Sequence, residues 1–215
     1  RLDALREAVQ RAGMPNTLTG RIRYSQVDAT KLSLSAPCQV VICDVPCSGD
    51  GTCRKDLHIL PMWKPQAGNA LHTTQLAILQ RSLQLVQVGG MVCYSTCSLN
   101  PVEDEAVVAA ALSNFGDAVE LMEISSLEGW IHRPGVTSWN VAHYKDEGAD
   151  DRTSKDDTGD DNHEKEEDTY DQDNDHNDEL PTLTWYTSYE AAKRDHMMEA
   201  VPTMWPTTSP VSYTH

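Results

Sequence analysis

The sequence predicts an α/β fold built on a parallel, doubly wound sheet, and three observations predict it. Segments with strand character alternate with segments of helical periodicity at βαβ spacing. One predicted strand, residues 39–45, carries the continuous apolar run Val40-Val41-Ile42, the pattern of a strand buried on both faces. Asp28, Asp44, Cys47 and Cys97 all fall at or just after the C-terminal ends of predicted strands, where such sheets bind their ligands.

The elements follow in order. Residues 1–12 predict a helix, with Leu2, Leu5, Ala8 and Val9 at helical spacing and Gly13 as its stop signal. Residues 22–28 predict a short strand ending in Asp28. The strand at 39–45 runs into the turn-rich loop Asp44-Val45-Pro46-Cys47-Ser48-Gly49-Asp50-Gly51. Leu76, Leu79, Leu83 and Val86 share one face of a helix predicted over 74–88, with Gly89-Gly90 as its breaker. A strand over 91–96 then delivers Cys97-Ser98. Pro101 suits the start of the next helix, and Glu103, Asp104 and Glu105 suit the dipole of its first turn. Val107–Leu112 completes that helix, and residues 118–124 predict a further strand.

The charge pattern divides the rest of the chain. Between Asp146 and Glu179 stand 17 acidic residues against three Lys/Arg, a net of −14 out of −16 for all 215 residues. Residues 146–181 therefore predict an acidic disordered insertion. Residues 1–145 predict the α/β domain, and 182–215 a C-terminal segment of the same domain or a tail, whose Trp205-Pro206 region packs back on the core or forms a strand. Outside the acidic run the chain is nearly neutral, which leaves room for a local basic face for nucleic acid. No stretch approaches the ~20 apolar residues of a membrane span, and no signal peptide is visible. Six cysteines in a chain of this length predict reduced thiols in an intracellular protein.

Three chemistries compete for those cysteines. Packing as small apolar side chains suits Cys38, Cys43 and Cys93, which lie in or beside apolar strands. Zinc would favour CxxC pairs; here Cys43/Cys47 and Cys93/Cys97 are each separated by three residues, and His58 or His72 would have to complete the set. Nucleophilic catalysis suits Cys47, on a tight loop after Pro46, and Cys97, at a strand end, given a lowered thiol pKa. Spacing alone leaves packing and catalysis level for these two.

The segment Ile42-Cys43-Asp44-Val45-Pro46-Cys47-Ser48-Gly49-Asp50-Gly51-Thr52 followed by Arg54-Lys55 resembles a signature of the NSun (Sun-domain) family of RNA cytosine-C5 methyltransferases. Tyr94-Ser95-Thr96-Cys97-Ser98-Leu99-Asn100-Pro101, with Glu103 and Glu105, resembles that family's second cysteine motif. The Gly-Asp-Gly-Thr and Arg-Lys extension looks closest to the eukaryotic tRNA-acting Trm/NSun branch. The likeness is strong over 40–112 and extends to Pro134-Gly135-Val136 and Val201–Pro206.

The resemblance implies a Rossmann-like S-adenosylmethionine-dependent methyltransferase acting on RNA, in this branch tRNA, and a nuclear location. It implies Cys97 as the nucleophile that adds to cytosine C6, which makes C5 reactive enough to take a methyl group. It implies Cys47 for product release, Asp44 as a cofactor-side and cytosine-orienting carboxylate, and Asp28 near the cofactor adenine. Arg54 and Lys55 are candidate RNA phosphate contacts, with a solvated basic pair as the alternative. The target cytosine has to reach the site unstacked. The resemblance calls for no metal and no membrane, and leaves oligomeric state open.

The family also leads one to expect a glycine-rich cofactor loop of the Cys-Ala-Ala-Pro-Gly-Ser-Lys type and an acidic residue ending the second strand, neither of which is in this chain. The expectation is a catalytic domain truncated at its N-terminus, with Arg1 in the helix after the second strand, binding cofactor poorly and inactive alone. The alternatives are a non-catalytic RNA-binding or scaffold protein that keeps the fold, and a zinc-binding module.

Overall fold

The computed structural model describes residues 2–13, 21–122, 131, 133–144, 182–195, 197 and 200–206. The acidic run and the residues after Pro206 lie outside them. The chain is a mixed α/β structure centred on a parallel strand pair. β1 (Cys38–Asp44) and β2 (Val86–Ser95) run side by side, with Val40–Asp44 facing Met91–Ser95 residue for residue. Helix α1 (Leu2–Arg11) precedes them and buries none of its side chains among the described residues.

The crossover from β1 to β2 passes through a short helix α2 (Ile59–Met62) and the 21-residue α3 (Pro65–Leu85). Pro65 occupies the first turn of α3, where its missing N–H costs nothing. The helix starts nine residues before its predicted position and stops at Leu85, with no glycine at its end. Gly89 and Gly90 lie inside β2 instead. They form the irregularity between Cys38 and Val40: Gly89 takes φ +77°, and a Cβ on Gly90 would sit 2.6 Å from the Gln39 carbonyl. This is a bulge that needs glycine twice, so the pair breaks strand regularity and not the helix.

α3 and α4 (Glu105–Phe115) cover one face of the parallel pair. Cys43, Val45, Leu79, Val107 and Ala111 are the buried centre of that contact. Ala106, Ala109 and Ala110 are also buried, and their small side chains let α4 approach closely. Val40 and Ile42 point to the opposite face and are 50% and 74% exposed. Burial on both faces of β1, expected from its apolar run, is thus not found among the described residues.

A second core joins distant parts of the chain. β3 (Val141–Tyr144) pairs antiparallel with β4 (Leu183–Tyr186), and the short helix α5 (Tyr189–Arg194) follows, its N-cap Ser188 accepting from Ala191 N. Val102, Val141, Tyr186, Ala192, Met204 and Trp205 pack together there. Trp205 Nε1 donates to the Tyr186 carbonyl at 3.0 Å, and Trp139 Nε1 to that of Met204 at 2.7 Å. The Trp205 region therefore packs on the core, and a strand after Thr182 exists that the sequence did not reveal.

Two predicted strands are absent among the described residues. Residues 22–28 form no ladder: polar Arg21, Arg23, Ser25 and Gln26 alternate with few apolar residues, and Asp28 instead caps the 3-10 turn Ala29–Lys31. Residues 116–118 form a 3-10 turn and 119–122 are irregular; 123 and 124 lie outside the described residues.

His72 links the two cores. It is fully buried on α3, with Nδ1 2.6 Å from the Val102 carbonyl and Nε2 2.8 Å from Thr203 Oγ1. A carbonyl can only accept, so Nδ1 carries the proton and Nε2 accepts from the hydroxyl. Burial pushes the imidazole pKa below its ordinary value. The unfolded chain then binds this proton more readily, so stability is full above the unfolded pKa of about 6.5 and falls as pH drops through it. Urea unfolding at pH 7.5 and 5.0 should show a loss of at most about 1.4 kcal/mol per pH unit from this group. His72→Gln should flatten that part of the profile; an unchanged slope would reject His72 as its source.

Candidate active site

The parallel register places the two cysteine loops together. Asp44 lies opposite Ser95 at the ends of β1 and β2, and Ser95 Oγ donates to Asp44 Oδ1 at 3.1 Å. Beyond that pair both strands turn out over the same end of the sheet, carrying Cys47 and Cys97. Their sulfurs are 3.0 Å apart, and Cys97 N donates to Cys47 Sγ at 3.3 Å. Cys97 is exposed and Cys47 half-buried. The thiol of Cys97 is pushed up to about 11, first by the hydrogen bond with Cys47, then by burial. At rest Cys97 therefore holds its proton.

Further bonds lock the loops to each other. Gly51 N donates to the Cys97 carbonyl at 3.0 Å, and Leu99 N to Asp50 Oδ1 at 3.0 Å. Gly49, at φ +77°, supplies the left-handed residue that starts the 3-10 turn Asp50–Thr52. Gly51 has a different requirement: a Cβ there would sit 2.6 Å from the Cys97 carbonyl oxygen, which is backbone. Gly51→Ala should displace the Cys97 loop and cost about 1–3 kcal/mol of stability, the usual penalty of overpacking. Urea unfolding checks this; a Gly51→Ala variant of native stability removes the steric argument.

The acidic residues after Pro101 do something other than decorate a helix dipole. α4 begins only at Glu105, and Glu103 is fully buried beneath the two loops. Its carboxylate accepts from Ser48 N (2.8 Å), Ser48 Oγ (2.6 Å), Ser98 Oγ (2.8 Å) and Gln75 Nε2 (3.0 Å). Glu105 is buried as well and accepts from Val136 N. The sequence held a cue to this arrangement: both cysteines are followed directly by serine, and both serines reach the same carboxylate.

The other predicted residues fall less centrally. Asp28 is exposed, and its carboxyl pKa is lowered by hydrogen bonds from the Thr30 hydroxyl and amide. Those bonds explain its local role as a cap, and no hydrogen bond ties it to Asp44 or to the cysteines among the described residues. Arg54 and Lys55 are exposed just beyond the Asp50–Thr52 turn. A cleft of about 410 Å³ opens beside Ser48, lined among others by His58, Trp63, Lys64 and Gln66. Trp63 Nε1 donates to Ser48 Oγ at 3.2 Å.

Of the cysteines assigned to packing, Cys43 is buried and its thiol pKa is raised by that burial. Cys38 is half-buried, and Cys93 is exposed because it lies on the uncovered face of the sheet with Ile42. Both nitrogens of His72, a candidate zinc ligand, are taken by protein bonds. Among the described residues no group of three or more His, Cys, Asp or Glu is placed to hold a metal ion, and no helix is long and apolar enough to cross a membrane.

Comparison with known proteins bears on this geometry. The family model described as 16S rRNA methyltransferase RsmB/F matches residues 1–151. A multisite-specific tRNA:(cytosine-C(5))-methyltransferase of Saccharomyces cerevisiae is 51% identical over 102 residues, 47% of this chain and 15% of that protein. A tRNA (cytosine(34)-C(5))-methyltransferase of Drosophila melanogaster is 43% identical over 103 residues, 47% of this chain and 14% of that protein. Ribosomal RNA small subunit methyltransferase F of Aeromonas salmonicida is 31% identical over 144 residues, 61% of this chain and 29% of that protein. The chain thus spans about 15% of the length of the tRNA methyltransferases it matches. With most of its length inside the family model and its two Cys-Ser loops meeting at one sheet end, the chain belongs to the RsmB/F family of S-adenosylmethionine-dependent RNA methyltransferases.

Proposed function

We propose that this chain forms the cytosine-facing part of an RNA cytosine-C5 methyltransferase, with tRNA as substrate, Cys97 as nucleophile and Cys47 as the residue that releases product. The observation that carries it is the 3.0 Å contact between an exposed Cys97 sulfur and the Cys47 sulfur at the C-terminal end of a parallel strand pair. Cytosine C5 is a weak nucleophile, and addition of a thiolate to C6 turns it into an enamine-like carbon. Cys97 is the exposed sulfur and can reach a flipped base; Cys47, set deeper, lies against it. Cys97 adds as the thiolate, its proton having left to solvent, so that Cys47, also as a thiolate, stays free for the later C5 proton. After methylation C5 carries a proton that has to leave before the C6–S bond breaks. Cys47 stands beside the adduct to take it, directly or through water.

The residues present fit the methyl donor in part. Asp44 is an exposed carboxylate at the strand end, the position where such sheets hold ligands, and can accept from an ammonium or a ribose hydroxyl. Asp28 would hold the adenine side. S-adenosylmethionine, when bound, supplies an electrophilic methyl group. Arg54 and Lys55 suit backbone phosphates, and the cleft beside Ser48 offers an aromatic ring and a cation for a nucleotide next to the target. The tRNA substrate follows the tRNA-acting relatives at 51% and 43% identity, and a location in the nucleus, with nucleolus or cytoplasm as alternatives, follows the branch resembled. Residues 1–145 with 182–215 would form one catalytic unit, and 146–181 an acidic insertion.

Mass mapping of the covalent protein–RNA adduct, made with the protein as its own cell produces it, tests the reading. A cytosine-C6 adduct on Cys97 supports it. An adduct on Cys47 reverses the two roles, and no adduct on either sulfur overturns the mechanism.

A further inference from the structure

Ser48 and Ser98 each follow a catalytic cysteine, and both end on one buried group. Glu103 has no solvent exposure, and four donors meet its two carboxylate oxygens, the full set a carboxylate accepts. Two come from Ser48 on the Cys47 loop, one from Ser98 on the Cys97 loop, and one from Gln75 on α3. Gln75 Nε2 also donates to the Pro46 carbonyl at 2.9 Å, so the residue before Cys47 is held from the same place. The Glu103 peptide is fixed in turn: the Tyr94 hydroxyl donates to its carbonyl at 2.5 Å, and its N–H donates to the Asn100 carbonyl at 2.9 Å. Space is reserved for the carboxylate, since a Cβ on Gly68 of α3 would lie 2.7 Å from Glu103 Oε2.

This hub joins two loops about 50 residues apart in sequence. A buried charge-assisted network of this kind is strong when fully satisfied and expensive when one member is lost. Glu103 itself hydrogen-bonds to Ser48, Ser98 and Gln75, and Ser48 in turn accepts from Trp63 Nε1 beside the cleft. The main geometric output of the hub is where Cys47 and Cys97 stand relative to each other.

We propose that Glu103 is the positioning residue of the cysteine pair, clamping the Cys47 loop through Ser48 and the Cys97 loop through Ser98 and so setting the sulfur–sulfur spacing. The clamp itself stands on geometry; its catalytic consequence rests on the reading of Cys97 as nucleophile. The spacing can be read without RNA. Diamide oxidises two adjacent thiols to a disulfide and is itself reduced to the hydrazine, and peptide mapping identifies the Cys47–Cys97 product.

The experiment compares the native protein with Glu103→Gln and Glu103→Ala, under conditions where near-ultraviolet circular dichroism shows each folded. Disulfide formation should slow by tenfold or more in Glu103→Ala, with Glu103→Gln in between, because its amide keeps the shape and two of the acceptor contacts. Turnover should follow the same order in kcat. A protein merely loosened by the cavity would show a lower melting temperature and native rates. If Glu103→Ala does not fold, the Ser48→Ala/Ser98→Ala double variant decides by the same measure. A folded variant whose disulfide rate lies within twofold of native overturns the clamp, as does a native protein that forms no Cys47–Cys97 disulfide. Slowed disulfide formation without any RNA adduct on native Cys97 upholds the clamp and removes the nucleophile assignment.

Discussion

Cys47→Ala should accumulate a covalent protein–RNA adduct that survives a denaturing gel, while Cys97→Ala should show neither adduct nor methylated product. The asymmetry follows from where the sulfurs stand. Of the two sulfurs Cys97 is the exposed one and the better placed to form a bond to C6 of an incoming cytosine. Without it C5 stays unreactive, and turnover falls below detection. Without Cys47 addition and methylation still occur, but the group 3.0 Å from the reacting sulfur that would collect the C5 proton is gone. Elimination then becomes the slow step and the adduct persists. Cys47→Ala also removes the hydrogen bond that most raises the Cys97 thiol, so Cys97 becomes more acidic and addition is not impaired. An adduct that still forms in Cys97→Ala would sink the assignment.

Trp205→Ala should lower the stability of the fold by roughly 3–5 kcal/mol, the usual cost of emptying a large aromatic site. Trp205 is 6% exposed, packs edge-on against Tyr189 with ring centroids 6.3 Å apart, and donates to the Tyr186 carbonyl. Its loss opens a cavity and removes the hydrogen bond from Nε1 to that carbonyl at the same time. The same cluster contains Val102, next to Glu103, and Thr203 holds His72, so the damage should reach the cysteine loops. Urea unfolding followed by fluorescence checks the magnitude. A change under about 1 kcal/mol would show that the segment around Trp205 adds little to the fold.

The site was more legible than the fold around it. Asp44, Cys47 and Cys97 sit where the strand ends were expected, because an apolar run followed by a turn-rich loop defines such an end locally. The strand at 22–28 failed for the same reason that others succeeded: a few alternating apolar residues need a neighbouring strand, and none pairs with them among the described residues. Gly89-Gly90 misled because glycine ends helices and builds bulges equally well, and only the approach of Gln39 tells which. Glu103 was read as a helix-start acid because its sequence neighbours are Pro101, Asp104 and Glu105. Its four donors come from positions 48, 75 and 98, and periodicity cannot find such partners.

What the sequence determined by itself was two Cys-Ser loops, each at a strand end, in the order of one RNA methyltransferase family. Local rules suffice there, because an apolar run followed by a turn-rich loop marks a strand end wherever that strand lies. What the tertiary structure alone decided was that the two loops act as one. The register that sets Asp44 against Ser95 carries Cys47 to within 3.0 Å of Cys97, and a one-residue slip would turn Cys43 and Tyr94 out of the core. That register, and the buried carboxylate beneath it, depend on packing between α3, α4 and the strand pair, an interaction among residues far apart in the chain.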